Sequence, residues 1–206
     1  MHIAYKGVTQ GISLQRIHSD SENLKKSAAL ISALAEEIWR EHYLPLIGAA
    51  QVDYMLAKYQ SPTQIFEDIT VNGYTYYVAV LNDNSKASAL PGSTAMMSEA
   101  IGYAACQPRD GYLFLSKLYV RKDCRRQGVA HLFLNAAKSL CQEYGLDRIR
   151  LTVNKNNAGS VAAYGKLGFN RIDSVVTDIG GGFVMDDYIM ELSGFTIHNP
   201  RAGLEI

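Results

Sequence analysis

The sequence predicts an α/β fold of the α+β kind: a mixed, mostly antiparallel central sheet of about six to seven strands flanked by helices. Three observations lead there. From Tyr74 onward, aromatic and β-branched runs alternate with turn clusters, as in neighbouring strands of an antiparallel meander. Beyond Val120 the rhythm changes to helix, strand, helix, strand. The chain is also long enough, at 206 residues with 48% apolar, to bury a sizeable core as one domain over 1–206. The core is expected over about 12–192, with a tail at 193–206.

Taken in order, Ile12, Leu14 and Ile17 mark a short first strand. A helix is expected to follow from a capping box formed by Ser19 and Glu22, because Leu24, Ala28, Ile31, Ala35 and Ile38 then recur at helical spacing. Pro45 and Gly48 are expected to end it. A second helical stretch runs through Val52, Met55, Leu56 and Tyr59, and Ser61-Pro62 opens a third toward Ile69. Strands are expected at Tyr74–Leu81, Ala100–Cys106 and Leu113–Val120, with a polar loop at Asn82–Met97 and a turn at Gln107–Gly111. Val129, Phe133, Ala136, Ala137, Leu140 and Tyr144 form the apolar stripe of a helix that Gly145 closes. Ile149, Leu151 and Val153 alternate with Arg148, Arg150 and Thr152, the period of a strand with one wet face. A helical stretch through Leu167 and two last strands, Phe169–Ile179 and Phe183–Leu192, complete the pattern, and Gly180-Gly181-Gly182 reads as their hairpin turn.

Composition narrows the function. Lys plus Arg equals Asp plus Glu at 20 each, and no run of five like charges occurs, so neither nucleic acid nor an anionic membrane is expected as a partner. Cys106, Cys124 and Cys141 are odd in number and far apart, and the five histidines lack metal-ligand spacing. A cytoplasmic protein without a catalytic metal is expected. Met1 to Gly11 lacks the apolar run of a signal peptide, and Ala28 to Ala35 is too short to cross a bilayer.

The chemistry concentrates where a strand feeds a basic loop that opens into a helix, from Leu118 to Ala130. The first N–H groups of a helix lack internal partners and the helix dipole adds positive charge there, so this is an anion cradle. The dipole contributes only about 0.3 to 1 kcal/mol, so several N–H bonds with Arg125 and Arg126 must share the work. Gly128 has no Cβ to obstruct an approaching phosphate.

Arg125-Arg126-Gln127-Gly128-Val129-Ala130 resembles the pyrophosphate-binding signature of the GNAT superfamily of N-acetyltransferases. Downstream, Asn157, small residues, Tyr164 and Gly168-Phe169 resemble the second series of that family. The resemblance covers roughly Ile12 to Leu192 and is strongest from Leu113 onward. It implies a GNAT-like fold that takes acetyl coenzyme A as co-substrate and passes its acetyl group to a primary amine of a small molecule, protein or peptide by direct attack. Leu118, Tyr119 and Val120 would run beside the pantetheine arm. Arg125, Arg126, Gln127, Gly128, Val129, Ala130 and His131 would hold the pyrophosphate, and Asn157 the pantetheine. Tyr164 would serve the departing sulfur, which gains from a hydrogen-bond donor as it leaves. A homodimer is compatible with the resemblance.

The acceptor side is less defined. A free alkyl amine is protonated at neutral pH, and baring it costs roughly 4 to 5 kcal/mol, so a base is needed. Glu99, Asp186 and Asp187 are the candidates. Trp39, His42, Tyr43 and Tyr54 either line an acceptor pocket or pack as ordinary aromatics, and Cys124 among its basic neighbours is an incidental thiol. Two features depart from the family pattern: the loop Asn82–Met97 is long, and Val129-Ala130 replaces the commoner residues of the glycine loop. The rival function is an acyl-coenzyme-A-binding sensor that has lost turnover.

Overall fold

The computed structural model describes residues 11–20, 22–81 and 100–195. Among these residues seven strands form one sheet: β1 (Ile12–Ile17), β2 (Thr75–Leu81), β3 (Ala100–Arg109), β4 (Tyr112–Val120), β5 (Arg148–Asn154), β6 (Asn170–Gly180) and β7 (Phe183–Ser193). Their spatial order is β1-β2-β3-β4-β5-β7-β6, antiparallel throughout except where β4 meets β5. Helices α1 (Leu24–Ile47), α2 (Ala49–Tyr59) and α3 (Pro62–Thr70) precede β2, α4 (Val129–Glu143) joins β4 to β5, and α5 (Ala158–Lys166) joins β5 to β6. The mixed, mostly antiparallel sheet expected from the sequence is present.

Core residues divide between the two sheet faces. Val129, Phe133, Ala136, Ala137 and Leu140 of α4 pack on Leu113, Leu115, Ile149, Leu151 and Val153. Ala28, Ile31, Ala35 and Ile38 of α1, with Ile65 of α3, pack on Tyr76, Val78, Tyr103 and Ala105. β2 is buried on both sides, which is why its sequence is a continuous apolar run rather than an alternation.

Three local expectations need correction. The capping box at Ser19 and Glu22 does not form; α1 begins at Leu24 after Asn23. It also runs through Pro45 to Ile47. A cap contributes about 1 kcal/mol, whereas each large apolar side chain buried along α1 contributes roughly 1.5 to 3, so packing decides where this helix lies. β3 continues through Gln107 and Pro108 to Arg109, where a turn was expected. β2 pairs with β3 only as far as Cys106, so Pro108 has no strand on that side to which an N–H would be owed.

Ser61 caps α3, its hydroxyl accepting from Gln64 N at 3.2 Å. Gly180 pairs with Phe183, leaving a two-residue turn whose glycines both have positive φ, 66° and 79°. Tyr54 of α2 lies against this turn and a Cβ on Gly181 would come within 2.9 Å of its ring, so glycine is required there twice over. The loop Asn82–Met97, Glu99 and the tail from residue 196 lie outside the described residues.

Candidate active site

A bulge in β4 makes the site. Ala105 pairs with Lys117 but Cys106 with Leu115, so Ser116 is surplus and the alternation reverses across it. Leu113 and Leu115 face α4 before the bulge; after it Leu118 and Val120 do so, while Lys117 and Tyr119 turn to the α1 side. The same kink parts β4 from β5. They pair only at Leu113 with Ile149 and Phe114 with Arg150, so from Leu115 to Val120 this edge of β4 has no strand beside it. A cleft of about 920 Å³ opens there, lined by Leu115 to Val120, Thr152 to Asn154, Tyr164 and Asp187, and by residues of α1, α2 and α3. That is the upper end of ordinary ligand sites, with room for more than one small group.

At the end of β4 the chain makes a short 3₁₀ turn, Lys122–Cys124, and enters α4 through Gly128. Gly128 sits at φ 83°, a left-handed conformation that a Cβ would strain, and supplies no side-chain cap. The N–H groups of Gly128, Val129 and Ala130 find no main-chain acceptor among the described residues, whereas His131 N already bonds Gly128 O at 3.0 Å. Three donors therefore converge on one mouth. Cations around it are unequally available. Arg125 donates through Nη2 to Glu41 of α1 at 2.7 Å and through Nε to Val120 O at 3.0 Å. Lys122 also pairs with Glu41, and Arg121 with Glu37 and Asp123. Arg126 and His131 are exposed with no carboxylate partner among the described residues, and Arg126 has a positive φ of 64°. Gln127 is exposed, and its Nε2 donates to Asp123 O at 3.0 Å.

Aromatic groups close the wall toward α1. Trp39, Tyr43, Tyr119 and Tyr103 make successive ring contacts at 4.6 to 6.4 Å. Of the four residues with two readings in the sequence, Trp39, His42 and Tyr43 line the cleft, while Tyr54 packs on the β6–β7 turn and donates to Ile179 O at 2.6 Å. Tyr164 of α5 also lines it, its ring 5.7 Å from Phe169, and burial with the neighbouring Tyr43 holds its hydroxyl protonated far above neutral pH. Burial likewise pushes Tyr43 up to about 12. Asn157 is buried and caps α5 by accepting from Ser160 N at 3.2 Å, while its Nδ2 lies 3.0 Å from His42 Nε2. Burial, then Arg125, lowers the His42 pKa and favours the neutral ring, which can accept that bond.

The acidic candidates separate clearly. Asp186 is exposed and paired with Lys155. Asp187, one residue on, is buried in the cleft, and burial pushes its pKa up to about 6 against a hydrogen bond from Thr152. Cys124 is buried, and burial raises its pKa, so it is no thiolate.

The family model of the GNAT acetyltransferases matches residues 37–169. The chain belongs to the GNAT family. Its co-substrate is accordingly acetyl coenzyme A, and it is an N-acetyltransferase. Solved structures agree on the fold. The chain is similar to the PaiA N-acetyltransferase from Thermoplasma acidophilum in complex with coenzyme A, at 19% identity and TM-score 0.66, covering 89% of this chain and 99% of that one. It is similar to a putative GNAT acetyltransferase from Desulfovibrio desulfuricans, at 16% identity and TM-score 0.60, covering 88% and 98%. It also resembles a chain of the NatC complex bound to Gag peptide and CoA, at 19% identity and TM-score 0.51, covering 90% and 99%. No curated protein matches in sequence.

What this GNAT chain offers fits its co-substrate. The cradle at Gly128 to Ala130 suits a diphosphate, and the bare edge of β4 suits an amide-bearing arm that pairs as a strand does. Two features escaped the sequence reading. The pairing of Lys117 with Asp68 joins residues 49 apart, and neither stands in a recognisable motif. The contact of His42 with Asn157 likewise joins α1 to α5 with no local signal. No helix among the described residues is long and apolar enough to cross a membrane, and no cluster of three potential metal ligands occurs among them.

Proposed function

We propose that the protein acetylates a primary amine by direct attack, with Asp187 as the base and Tyr164 as the hydrogen-bond donor to the departing sulfur. One observation carries this reading: the unpaired edge of β4, the Tyr164 side chain and the buried Asp187 carboxylate line a single cleft. Gly128, Val129 and Ala130 N–H hold the diphosphate with Arg126 beside them, Leu118 to Val120 align the pantetheine arm, and Asn157 shapes its far wall. Arg125, Gln127 and His131 complete the mouth.

Asp187 meets a specific demand. The acceptor arrives as an ammonium, which must lose one proton before its lone pair can attack; the nitrogen sheds a second once the N–C bond has formed, and one of the two ends on the departing sulfur. A carboxylate with pKa about 6 is largely ionised at neutral pH yet ready to accept a proton as the nitrogen loses its affinity for one. Tyr164 keeps its own proton at all working pH values, so it can donate to sulfur as the C–S bond breaks and negative charge collects there. Of the other candidate bases, Asp186 faces solvent and Glu99 lies outside the described residues.

Titration calorimetry with acetyl coenzyme A, followed by thiol release over a panel of polyamines, aminoglycosides, amino acids and peptides, tests the proposal. Tight binding with turnover on at least one class is expected. Tight binding with no turnover on any amine would leave the sensor as the better account.

A further inference from the structure

Three charged side chains are buried among the described residues, Asp68, Lys117 and Asp187, and all three line the cleft. Asp187 is used above. Asp68 of α3 is saturated: Oδ2 accepts from Tyr76 Oη at 2.7 Å and Lys117 Nζ at 3.0 Å, Oδ1 from Gln64 Nε2 at 2.9 Å and Asn72 Nδ2 at 3.2 Å. Lys117 is not. An ammonium carries three donors. Asp68 takes one, the rings of Tyr74 and Tyr76 stand 5.2 Å from Nζ, and no second acceptor lies within hydrogen-bond distance among the described residues. A buried ion pair with one partner left short of hydrogen bonds is a poor device for stability. It is a good receptor for an oxygen anion arriving from the cleft.

The surroundings support that. Arg109 lines the same cleft, its guanidinium 4.0 Å over the Phe114 ring and its Nε bonded to Gln107 Oε1 at 3.1 Å, with no carboxylate partner among the described residues. With Lys117 offset by Asp68, Arg109 leaves this side of the cleft positive, while Asp187 makes the opposite side negative. Lys117 on β4 and Asp187 on β7 line the same cleft from either side of the gap that opens between β4 and β5. A single small molecule lying across that gap can set its ammonium on Asp187 and its carboxylate on Lys117.

We infer that Lys117 is the anchor for a carboxylate on the acceptor, and that the acceptor is therefore an amine of amino-acid type, ammonium toward Asp187 and carboxylate between Lys117 and Arg109. The inference deepens the acetyl-transfer reading and rests on it. Its test compares pairs of amines alike except for a carboxylate, such as phenylalanine and phenethylamine or lysine and cadaverine. Wild type is to be set beside Lys117→Met and the double variant Asp68→Asn/Lys117→Met, which removes both charges and leaves no buried carboxylate unpaired. Wild type is expected to favour the carboxylate member by about tenfold or more in kcat/KM, as for a charge-assisted hydrogen bond. Both variants should bring the ratio close to one, chiefly through KM, with acetyl coenzyme A bound as tightly as before. An equal loss on both members of each pair, or a wild-type preference for the amine lacking a carboxylate, overturns the inference. Calorimetry of the same amines on the protein with coenzyme A bound gives a readout independent of turnover. Amino acids that bind through Lys117 without being acetylated would uphold the anchor and remove the acetyl-transfer reading instead.

Discussion

Arg125 reaches from the mouth of α4 back to Glu41 of α1, with Nη2 and Oε2 2.7 Å apart, and so lends its charge to a helix contact before any phosphate arrives. Arg126, one residue on, is exposed and makes no such bond among the described residues. Arg126→Ala is therefore expected to weaken acetyl coenzyme A binding by about 1.5 to 3 kcal/mol, the range of a hydrogen bond to a charged group. Arg125→Ala should cost less in affinity and should loosen the seat of α1. Calorimetry at two salt concentrations separates them, because the loss at Arg126 removes part of the salt dependence.

Gly128→Val combines two penalties, a non-glycine residue at φ 83° and a branched side chain over the donors of Val129 and Ala130. Forcing a non-glycine residue into such backbone costs about 1 to 3 kcal/mol. Weaker coenzyme binding with a modestly lower Tm is expected. Unchanged affinity would mean that the phosphates bind elsewhere.

Asp187 links activity, pH and stability. As a base it must be ionised, so turnover should rise as pH passes through about 6 and level off above it, and Asp187→Asn should abolish that limb with a loss of roughly 10²- to 10⁴-fold. The stability effect has the opposite sense. The folded pKa lies above the unfolded one, so the native state holds more protons between about pH 4 and 6 and loses stability as pH rises across that window. At pH 8 the asparagine variant should accordingly melt at a higher temperature than wild type while being less active. A lower Tm would show the carboxylate to be structurally required.

Tyr164→Phe removes one hydroxyl from the cleft and leaves the ring against Phe169. Turnover should fall by roughly 10²-fold with KM for acetyl coenzyme A little changed, as for an interaction made only as the sulfur departs. Single-turnover measurements check this independently of product release.

Much of this was legible in the sequence because it is written locally. The stripe from Val129 to Leu140, the alternation from Ile149 to Val153 and the three glycines of the β6–β7 turn each fix an element within a few residues. The start of α4 was legible for the same reason, since Arg125 to Ala130 is one stretch that opens one helix. What stayed hidden depends on distant partners. Nothing near Lys117 announces that Asp68 will meet it, and nothing near Glu41 announces that it will occupy Arg125. The missed helix start at Leu24 is a weaker local signal overruled by the apolar face behind it.

Ser116 is the surplus residue at the bulge of β4. Delete it and Leu115 would be followed directly by Lys117, each on the face it already occupies, and β5 would be free to zip up alongside a straightened β4. One uncounted residue thus prises the sheet apart. Moving this single insertion along the strand would move the point at which the two strands separate, and the opening with it.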